Sequence, residues 1–279
     1  MTMTSLIVSR LTTGYRHKAV LSDLSLAPFP AGTLTAILGP NAGGKSTLLR
    51  ALAGLVQASG SVRLGDLELT RMGLAARARH VGFMPQSLPR TTELTVLEAV
   101  ISAIKAIPAG SLTAATREVN RKAIATLERL AIADLAMERL DRLSGGQRQL
   151  ASLAQSIVRD PALLLLDEPT SALDLRHQVD VMEVVSELTA EGRIVVAVLH
   201  DLNLAARWAD RIVLLNHGSL HSQGNPEKVL TPQTLAEVYG VRARVERCSQ
   251  GWLQIVVDGR HRENPASRPE SSIQENTVS

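Results

Sequence analysis

A glycine-rich segment followed by a lysine and two hydroxyl residues offers the clearest chemistry in this sequence. It reads Gly39-Pro40-Asn41-Ala42-Gly43-Gly44-Lys45-Ser46-Thr47 and fits the pattern G-x-x-x-x-G-K-[ST]. Glycines let backbone N–H groups surround an anion, and a helix N-terminus adds partial positive charge. We expect Lys45 to reach the β- and γ-phosphates of a nucleotide and Ser46 to bind Mg²⁺. The alternative, a glycine-rich turn with a chance lysine, is disfavoured by the apolar strand pattern at 34–38 and the helical pattern that follows.

An acidic pair later in the chain supplies the second half of a phosphate site. Residues 163–166 are four leucines, a run typical of a strand buried on both faces, and they lead directly into Asp167 and Glu168. Ligands of open α/β sheets bind at the carboxyl ends of the strands. We therefore expect Asp167 to hold Mg²⁺ and Glu168 to face an attacking water. The alternative is a turn carboxylate that caps the next helix.

The segment Leu143-Ser144-Gly145-Gly146-Gln147 resembles the signature of the ATP-binding cassette family. With the phosphate loop and the acidic pair, the resemblance extends over about residues 6–240. It implies that ATP and Mg²⁺ are bound, and that the signature of one subunit covers the γ-phosphate held by a second copy.

The resemblance also assigns roles to four further positions. Tyr15 lies where the family has an aromatic ring that stacks on adenine, with a half-buried strand tyrosine as the alternative. Gln86 matches a glutamine that contacts Mg²⁺ and water, and Asp174 belongs to the loop at 171–174 that crosses the dimer interface. His200 matches the family's switch histidine. The implied catalytic residues are Glu168, His200 and Gln86, and the implied metal ligands are Ser46, Gln86 and Asp167.

The phosphate loop departs from the family at one point. The family often has glycine at the position of Ala42 and a small residue other than glycine at that of Gly43. If position 42 requires positive φ, alanine costs on the order of 1 kcal/mol there. Nucleotide binding is still expected, because the rest of the motif is intact.

Segments near the C-terminal half are similar to the branch that serves importers of iron–siderophore complexes, haem and vitamin B12. They lie at 200–211, 214–218, 224–226 and 237–241. That branch often carries a Gly-Arg-x-Pro segment early in the helical insert, and residues 101–108 lack it. Since the transported compound contacts other proteins, the sequence does not identify it.

The order of patterns predicts an α/β fold. Short strand patterns come first, helical spacing dominates from 95 to about 140, and apolar strands alternate with helices after that. We expect a phosphate-loop NTPase core with a mostly parallel sheet, an N-terminal antiparallel β region and a helical insert. The predicted units are an ATPase domain at 1–240 with its insert at about 90–160, a small extension at 241–262 and a disordered tail at 263–279.

Composition restricts the partners. Aromatic residues are only 2% of the chain, which disfavours base stacking on single-stranded nucleic acid. Cys248 is the single cysteine, so no disulfide within the chain is possible. No apolar run reaches the ~20 residues of a membrane-spanning helix.

The resemblance implies a second copy of the chain, an integral membrane permease and, indirectly, a periplasmic or extracellular solute-binding protein as partners. It places the chain peripherally at the cytoplasmic face of the inner membrane.

Three other functions remain open at this point. An exporter ATPase would use the same motifs with a different permease. A soluble cassette ATPase of DNA repair or translation usually carries long inserts or two cassettes, whereas this sequence has one phosphate loop and one signature. A nucleotide sensor without catalysis is disfavoured by Glu168 and His200.

Overall fold

The computed structural model describes residues 5–15, 18–87, 93–106 and 116–261. In chain order the strands are β1 (Ser5–Tyr15), β2 (Lys18–Pro30), β3 (Thr33–Leu38), β4 (Ala58–Leu64), β5 (Leu67–Glu68), β6 (Val81–Met84), β7 (Leu163–Asp167), β8 (Ile194–Val198), β9 (Arg211–Asn216), β10 (Ser219–Gly224), β11 (Val241–Arg247) and β12 (Leu253–Arg260). The α-helices are α1 (Lys45–Ala53), α2 (Leu74–Arg77), α3 (Val96–Lys105), α4 (Thr116–Arg129), α5 (Gly145–Ile157), α6 (Leu175–Ala190), α7 (Leu202–Trp208), α8 (Pro226–Val229) and α9 (Pro232–Tyr239).

The central sheet has six strands in the order β10-β9-β3-β8-β7-β6. All neighbours pair in parallel except β10, which pairs antiparallel with β9 at one edge. Every residue of β7 and β8 is buried, as expected for strands that are covered on both faces. The predicted α/β core with a mostly parallel sheet is confirmed.

A second sheet, formed by the N-terminal part of the chain, is antiparallel and has the order β2-β1-β4-β5. The short strand patterns predicted at the start of the chain belong to the longer strands β1 and β2, of 11 and 13 residues. The alternation is hard to follow in sequence because the register shifts several times along this pair. Arg10 and Asp23, both at positive φ, lie among these irregularities.

The central sheet separates two apolar cores. Leu163 and Leu165 of β7 point into the core shared with α1 and the antiparallel sheet. Leu164 and Leu166 point into the opposite core, which contains residues of α3, α5, α6 and α9. The side chains alternate because successive residues of a strand face opposite sides. The phosphate-loop helix α1 therefore lies between the two sheets.

The helical insert is formed by α3, α4 and the start of α5, as predicted. Thr95 and Glu98 form a capping box that begins α3, which satisfies backbone N–H groups at the helix start. Part of the predicted insert, at 107–115, lies outside the described residues, and so does the predicted tail at 263–279. The limits of the predicted domains stay predictions.

The C-terminal segment consists of α9 and a hairpin of β11 and β12. Ala243 and Ile255 of the hairpin are buried in the same core as α9. Among the helices of the described residues, none combines the length and the apolar character needed to cross a membrane.

The close approach of β6 to α5 gives a test of this packing. A Cβ on Gly82 would lie 2.4 Å from the backbone oxygen of Ser156 and 2.7 Å from the ring of Pro161. We expect Gly82→Ala to lower the free energy of unfolding by about 1–3 kcal/mol, because the strand and helix must separate. Urea unfolding measures this change.

The control for that variant is Gly73→Ser. A Cβ on Gly73 would have no other atom within 4 Å, and the residue precedes α2 with φ −63, where serine is a favourable N-cap. Its free energy of unfolding should stay unchanged or rise slightly. Equal stabilities of the two variants and the wild type would show that β6 and α5 are not in close contact.

Candidate nucleotide site

The glycine-rich segment forms a loop between the end of β3 and the start of α1, as predicted. Lys45 is only 5% exposed, and its Nζ donates hydrogen bonds of 2.8 Å to the backbone oxygens of Gly39 and Pro40. Burial lowers the pKa of Lys45, whereas the charges of Glu168 and Asp167 act to raise it. The lysine therefore lies folded over its own loop, close to two carboxylates.

The hairpin of β9 and β10 supports this loop. A Cβ on Gly39 would lie 2.1 Å from the backbone oxygen of Leu215 in β9, so the chain can pass there only as glycine. The backbone N–H of Gly218 in the hairpin turn donates to the oxygen of Gly43 at 3.3 Å. Ala42 has φ 61, so the alanine does occupy a left-handed position and carries the strain expected from the sequence.

Asp167, the last residue of β7, is fully buried beside the loop. Its Oδ1 accepts a 2.8 Å hydrogen bond from the hydroxyl of Ser46. Its Oδ2 is buried without a hydrogen bond, and the nearest cation is the guanidinium of Arg50 at 3.9 Å. Burial raises the pKa of Asp167, and the hydrogen bond from Ser46 and the charge of Arg50 oppose that rise.

The donor set around Asp167 fits Mg²⁺. A buried carboxylate oxygen without a hydrogen bond is a position where a cation is favourable. Mg²⁺ prefers hard oxygen ligands and usually takes one or two carboxylates together with substrate phosphates. Asp167 and the hydroxyl of Ser46 lie in contact with each other at the loop, so both residues can contribute oxygen ligands.

Glu168 lies between two polar side chains from the neighbouring strands. Its Oε2 accepts a 2.8 Å hydrogen bond from Nε2 of Gln86, and its Oε1 lies 2.6 Å from Nε2 of His200. Gln86 follows β6 and His200 follows β8, which are the two strands that flank β7. The parallel order of these three strands therefore brings the three predicted catalytic residues together.

The phosphate loop and this carboxylate share one cavity of about 650 Å³. The volume suits a small-molecule ligand. The residues that line it are Val20, Asn41, Ala42, Gly43, Gly44, Lys45, Ser46, Thr47, Gln86, Glu168 and His200. Most of the residues that the sequence predicted for phosphate binding and catalysis are thus placed around the same space.

Residues 21–171 match the family model for the ABC transporter. The chain belongs to the ABC transporter family. Members of this kind are ATP-binding subunits that hydrolyse ATP, and the chain carries that nucleotide-binding cassette.

Two curated relatives cover most of the cassette. The ferric enterobactin transport ATP-binding protein FepC of Escherichia coli (strain K12) is 38% identical over 239 residues, covering 85% of this chain and 87% of FepC. The hemin import ATP-binding protein HmuV of Photobacterium profundum is 37% identical over 215 residues, covering 75% of this chain and 76% of HmuV.

Solved cassettes share the fold. A transporter described as metal-chelate type, in an inward-facing conformation, is 26% identical with a TM-score of 0.76, covering 91% of this chain and 97% of that chain. A dimeric ATP-binding cassette in a post-hydrolysis state, bound to ADP and phosphate, is 26% identical with a TM-score of 0.71, covering 79% and 98%. The predicted fold class and family are confirmed.

Tyr15 of this ABC cassette does not line the cavity that contains the phosphate loop. It is 44% exposed, and its hydroxyl accepts a 3.3 Å hydrogen bond from Arg50. It lines a second cavity together with Lys18 and Gln57. Stacking of Tyr15 on adenine therefore stays a prediction.

The signature forms the start of α5. The hydroxyl of Ser144 accepts a hydrogen bond from the backbone N–H of Gln147, and the Gln147 side chain accepts one from the N–H of Ser144. Asp174 caps α6 in a similar way by accepting from the N–H of His177. The residues predicted to act across a dimer are Leu143, Ser144, Gly145, Gly146, Gln147 and Asp174, and none of them is among those that line the phosphate-loop cavity of their own chain. Their role in a second copy stays a prediction.

Gln149 is a residue of this site that the sequence reasoning missed. It is 6% exposed, its side chain donates to the backbone oxygen of Glu168, and it accepts a 3.0 Å hydrogen bond from the N–H of Ala172. It thus links α5, the helix that begins at the signature, to the backbone of Glu168. The spacing in the sequence could have indicated that Gln149 is buried, because Gln149 shares a helix face with the buried Leu153 and Ile157.

The strain at Ala42 can be measured directly. We expect Ala42→Gly to raise the free energy of unfolding by about 1 kcal/mol, since glycine adopts left-handed backbone without a steric penalty. Urea unfolding with and without nucleotide measures this change.

The matched control is Ala125→Gly, which makes the same substitution at an exposed position inside α4. That variant should be destabilised by about 1 kcal/mol, because glycine is unfavourable in a helix interior. If both variants lose stability equally, Ala42 is not strained.

Proposed function

We propose that this chain is the ATP-hydrolysing subunit of an importer for an iron–siderophore, haem or cobalamin-type compound. The observation that carries the proposal is the carboxylate of Glu168, held between Gln86 and His200 at the phosphate loop. The names of FepC and HmuV support the substrate class, since they describe ferric enterobactin transport and hemin import.

ATP would bind with its triphosphate in the phosphate loop. Phosphate oxygens would replace the backbone oxygens of Gly39 and Pro40 as partners of Lys45. Ser46, Asp167 and Gln86 would hold Mg²⁺, which neutralises charge on the β- and γ-phosphates when bound. The backbone N–H groups of the loop and the start of α1 add favourable dipoles.

The carboxylate of Glu168, at the cavity that contains the phosphate loop, would act in the hydrolysis of ATP. Its carboxylate would accept a proton from a water whose oxygen bonds to the γ-phosphorus, while the bond from that phosphorus to the β–γ bridging oxygen breaks. His200 and Lys45 would stabilise the negative charge on the transferring phosphoryl group. ADP and inorganic phosphate are the products.

A second copy would complete the site. Ser144 and Gly146 begin a helix whose N-terminus suits an anion, yet they do not line the phosphate cavity of their own chain. A solved cassette of this family is dimeric with ADP and phosphate bound. We infer that two copies enclose two ATP molecules, each between one phosphate loop and the partner's signature.

The remaining partners complete the import system. The helical insert would contact an integral membrane permease, and a periplasmic or extracellular solute-binding protein would deliver the compound to that permease. The chain would lie peripherally at the cytoplasmic face of the inner membrane. Stimulation of ATP hydrolysis by one solute, in the reconstituted complex with the co-purified permease, would identify the compound.

Replacing the proposed catalytic carboxylate tests the reaction. We expect Glu168→Gln to retain ATP affinity within about threefold and to lose at least about 100-fold in turnover, because the amide cannot accept the proton from water. Phosphate release and equilibrium nucleotide binding measure the two quantities. Glu183→Gln, on the exposed face of α6, is the matched control and should behave as wild type. Full turnover by Glu168→Gln would refute the role of Glu168.

The proposed ATP-bound dimer predicts a contact between Asn41 of one copy and Ser144 of the other. Both side chains are exposed in the single chain. With Cys248→Ser and Glu168→Gln as background, Asn41→Cys combined with Ser144→Cys should give a covalent dimer with a short bismaleimide when ATP is present. Combining Asn41→Cys with Met137→Cys, at a residue 75% exposed on the helical insert, is the control and should remain monomeric. A covalent dimer from Asn41→Cys with Met137→Cys, and none from Asn41→Cys with Ser144→Cys, would exclude the proposed dimer.

A further inference from the structure

The side chain of Asn203 in α7 binds the backbone of the C-terminal hairpin, which is formed by β11 and β12. It makes the two main-chain hydrogen bonds that a neighbouring strand would make. Oδ1 of Asn203 accepts a 2.7 Å hydrogen bond from the backbone N–H of Ile255 in β12, and Nδ2 donates to the backbone oxygen of the same residue at 3.3 Å. Unpaired N–H and C=O groups along a strand edge need such partners. One side chain thus satisfies both main-chain groups of Ile255.

A second contact lies one helical turn further along α7. The guanidinium carbon of Arg207 is 4.1 Å from the ring centre of Trp252 and 5.3 Å from that of Trp208. These are the two tryptophans of the whole chain. Residues four apart share a helix face, so Asn203 and Arg207 fix the same face of α7 to the hairpin.

The helix that is held in this way begins directly after His200. Asp201 is its N-cap and accepts hydrogen bonds from the N–H groups of Asn203 and Leu204 at 2.8 and 3.0 Å. A helix of seven residues is too short to be stable by itself. The position of α7, and with it the start at Asp201 and His200, therefore depends on the contacts that the helix makes with its surroundings.

The other end of the same C-terminal segment rests on the phosphate loop. Tyr239, the last residue of α9, is separated from the hairpin by one residue, and its phenol lies near the backbone of Gly39, which acts to lower the pKa of that phenol. Burial raises the pKa of this phenol to about 12, so it stays neutral in the physiological range. The residue that ends α9 thus lies beside the phosphate loop, and the hairpin follows it in the chain.

We propose that the C-terminal hairpin positions His200 for hydrolysis, and that Asn203, Arg207 and Trp252 are positioning residues that act through α7. The hairpin lies outside residues 21–171, which match the family model, and its residues do not line the phosphate-loop cavity. The inference rests on the proposed ATPase function. It predicts a change in turnover without a change in nucleotide binding, because the loop that binds the phosphates is unaltered.

The first experiment separates turnover from binding in the full chain. Asn203→Ala and Trp252→Ala should each lower kcat by about five- to tenfold, while the KM for ATP and nucleotide affinity in the Glu168→Gln background stay within about twofold. Trp252→Phe, which keeps an aromatic ring beside Arg207, should restore most of the wild-type kcat. Val257→Ala, at an exposed residue of β12, is the matched control and should behave as wild type.

Thermal unfolding distinguishes a loss of kcat caused by misfolding from one caused by a lost positioning contact. If Asn203→Ala does not fold, Trp252→Ala decides the question, because it removes a side chain that is 46% exposed. Wild-type kcat in folded Trp252→Ala, or an equal loss in the Val257→Ala control, would overturn the positioning role. A wild-type chain that does not hydrolyse ATP in its complex with the permease would instead overturn the proposed function.

A double-mutant cycle tests whether the effect passes through His200. Single-turnover hydrolysis should be slowed by Asn203→Ala in the wild-type background and should not be slowed further by it in the His200→Ala background. An equal additional loss in both backgrounds would show that Asn203 acts independently of the histidine and would overturn the proposal.

Discussion

The site depends on two buried charges of opposite sign at one edge of the parallel sheet. The ammonium of Lys45 is 5% exposed and Asp167 is fully buried, and burial of an ion costs several kcal/mol unless opposite charges compensate it. Lys45 has backbone oxygens as its hydrogen-bond partners, and one oxygen of Asp167 has no hydrogen bond. A triphosphate would give Lys45 an anionic hydrogen-bond partner, and a divalent cation would bind the free oxygen of Asp167, which has only Arg50 at 3.9 Å as an opposite charge. The family shows that the chain binds nucleotide, and the buried charges give a physical reason for the proposed binding of Mg²⁺ beside it.

The same edge of the sheet also connects the two surfaces that would meet in a dimer. Gln149 lies in the second turn of α5, whose N-cap is Ser144, and it binds the backbone of both Glu168 and Ala172. A displacement of α5 would therefore be transmitted to the backbone of Glu168, the proposed catalytic residue, through one buried side chain. This linkage gives a physical route by which contact with a second copy could align Glu168, without any movement of the central sheet.

The sequence predicted the parts of this structure whose chemistry is local. The phosphate loop, the buried strands of the central sheet and the two carboxylates at the end of β7 each follow from residue types in an unbroken segment. The hydrogen bond between Asn203 and Ile255 was not foreseen, because those residues lie 52 positions apart and periodicity identifies a buried face without identifying its partner. The contact between the hydroxyl of Tyr15 and Arg50 was not foreseen either, since no sequence pattern encodes the direction of one side chain, and the stacking of Tyr15 on adenine stays a prediction.

Glu168 and Ala42, on the two sides of the cavity, both have positive φ, but different hydrogen bonds restrain their backbones. Glu168 has φ 57, a conformation that costs of order 1–3 kcal/mol for a residue other than glycine. Its carbonyl accepts hydrogen bonds from the side chain of Gln149 and from both the N–H and the hydroxyl of Ser171, so three donors fix the strained peptide and direct its carboxylate between Gln86 and His200. At Ala42 the nearby restraints are two hydrogen bonds of Gly43, whose N–H donates to the oxygen of Pro40 and whose oxygen accepts from the N–H of Gly218. The strain at Glu168 thus accompanies hydrogen bonds that fix the backbone of the proposed catalytic residue, whereas the strain at Ala42 arises because alanine stands where the family often has glycine.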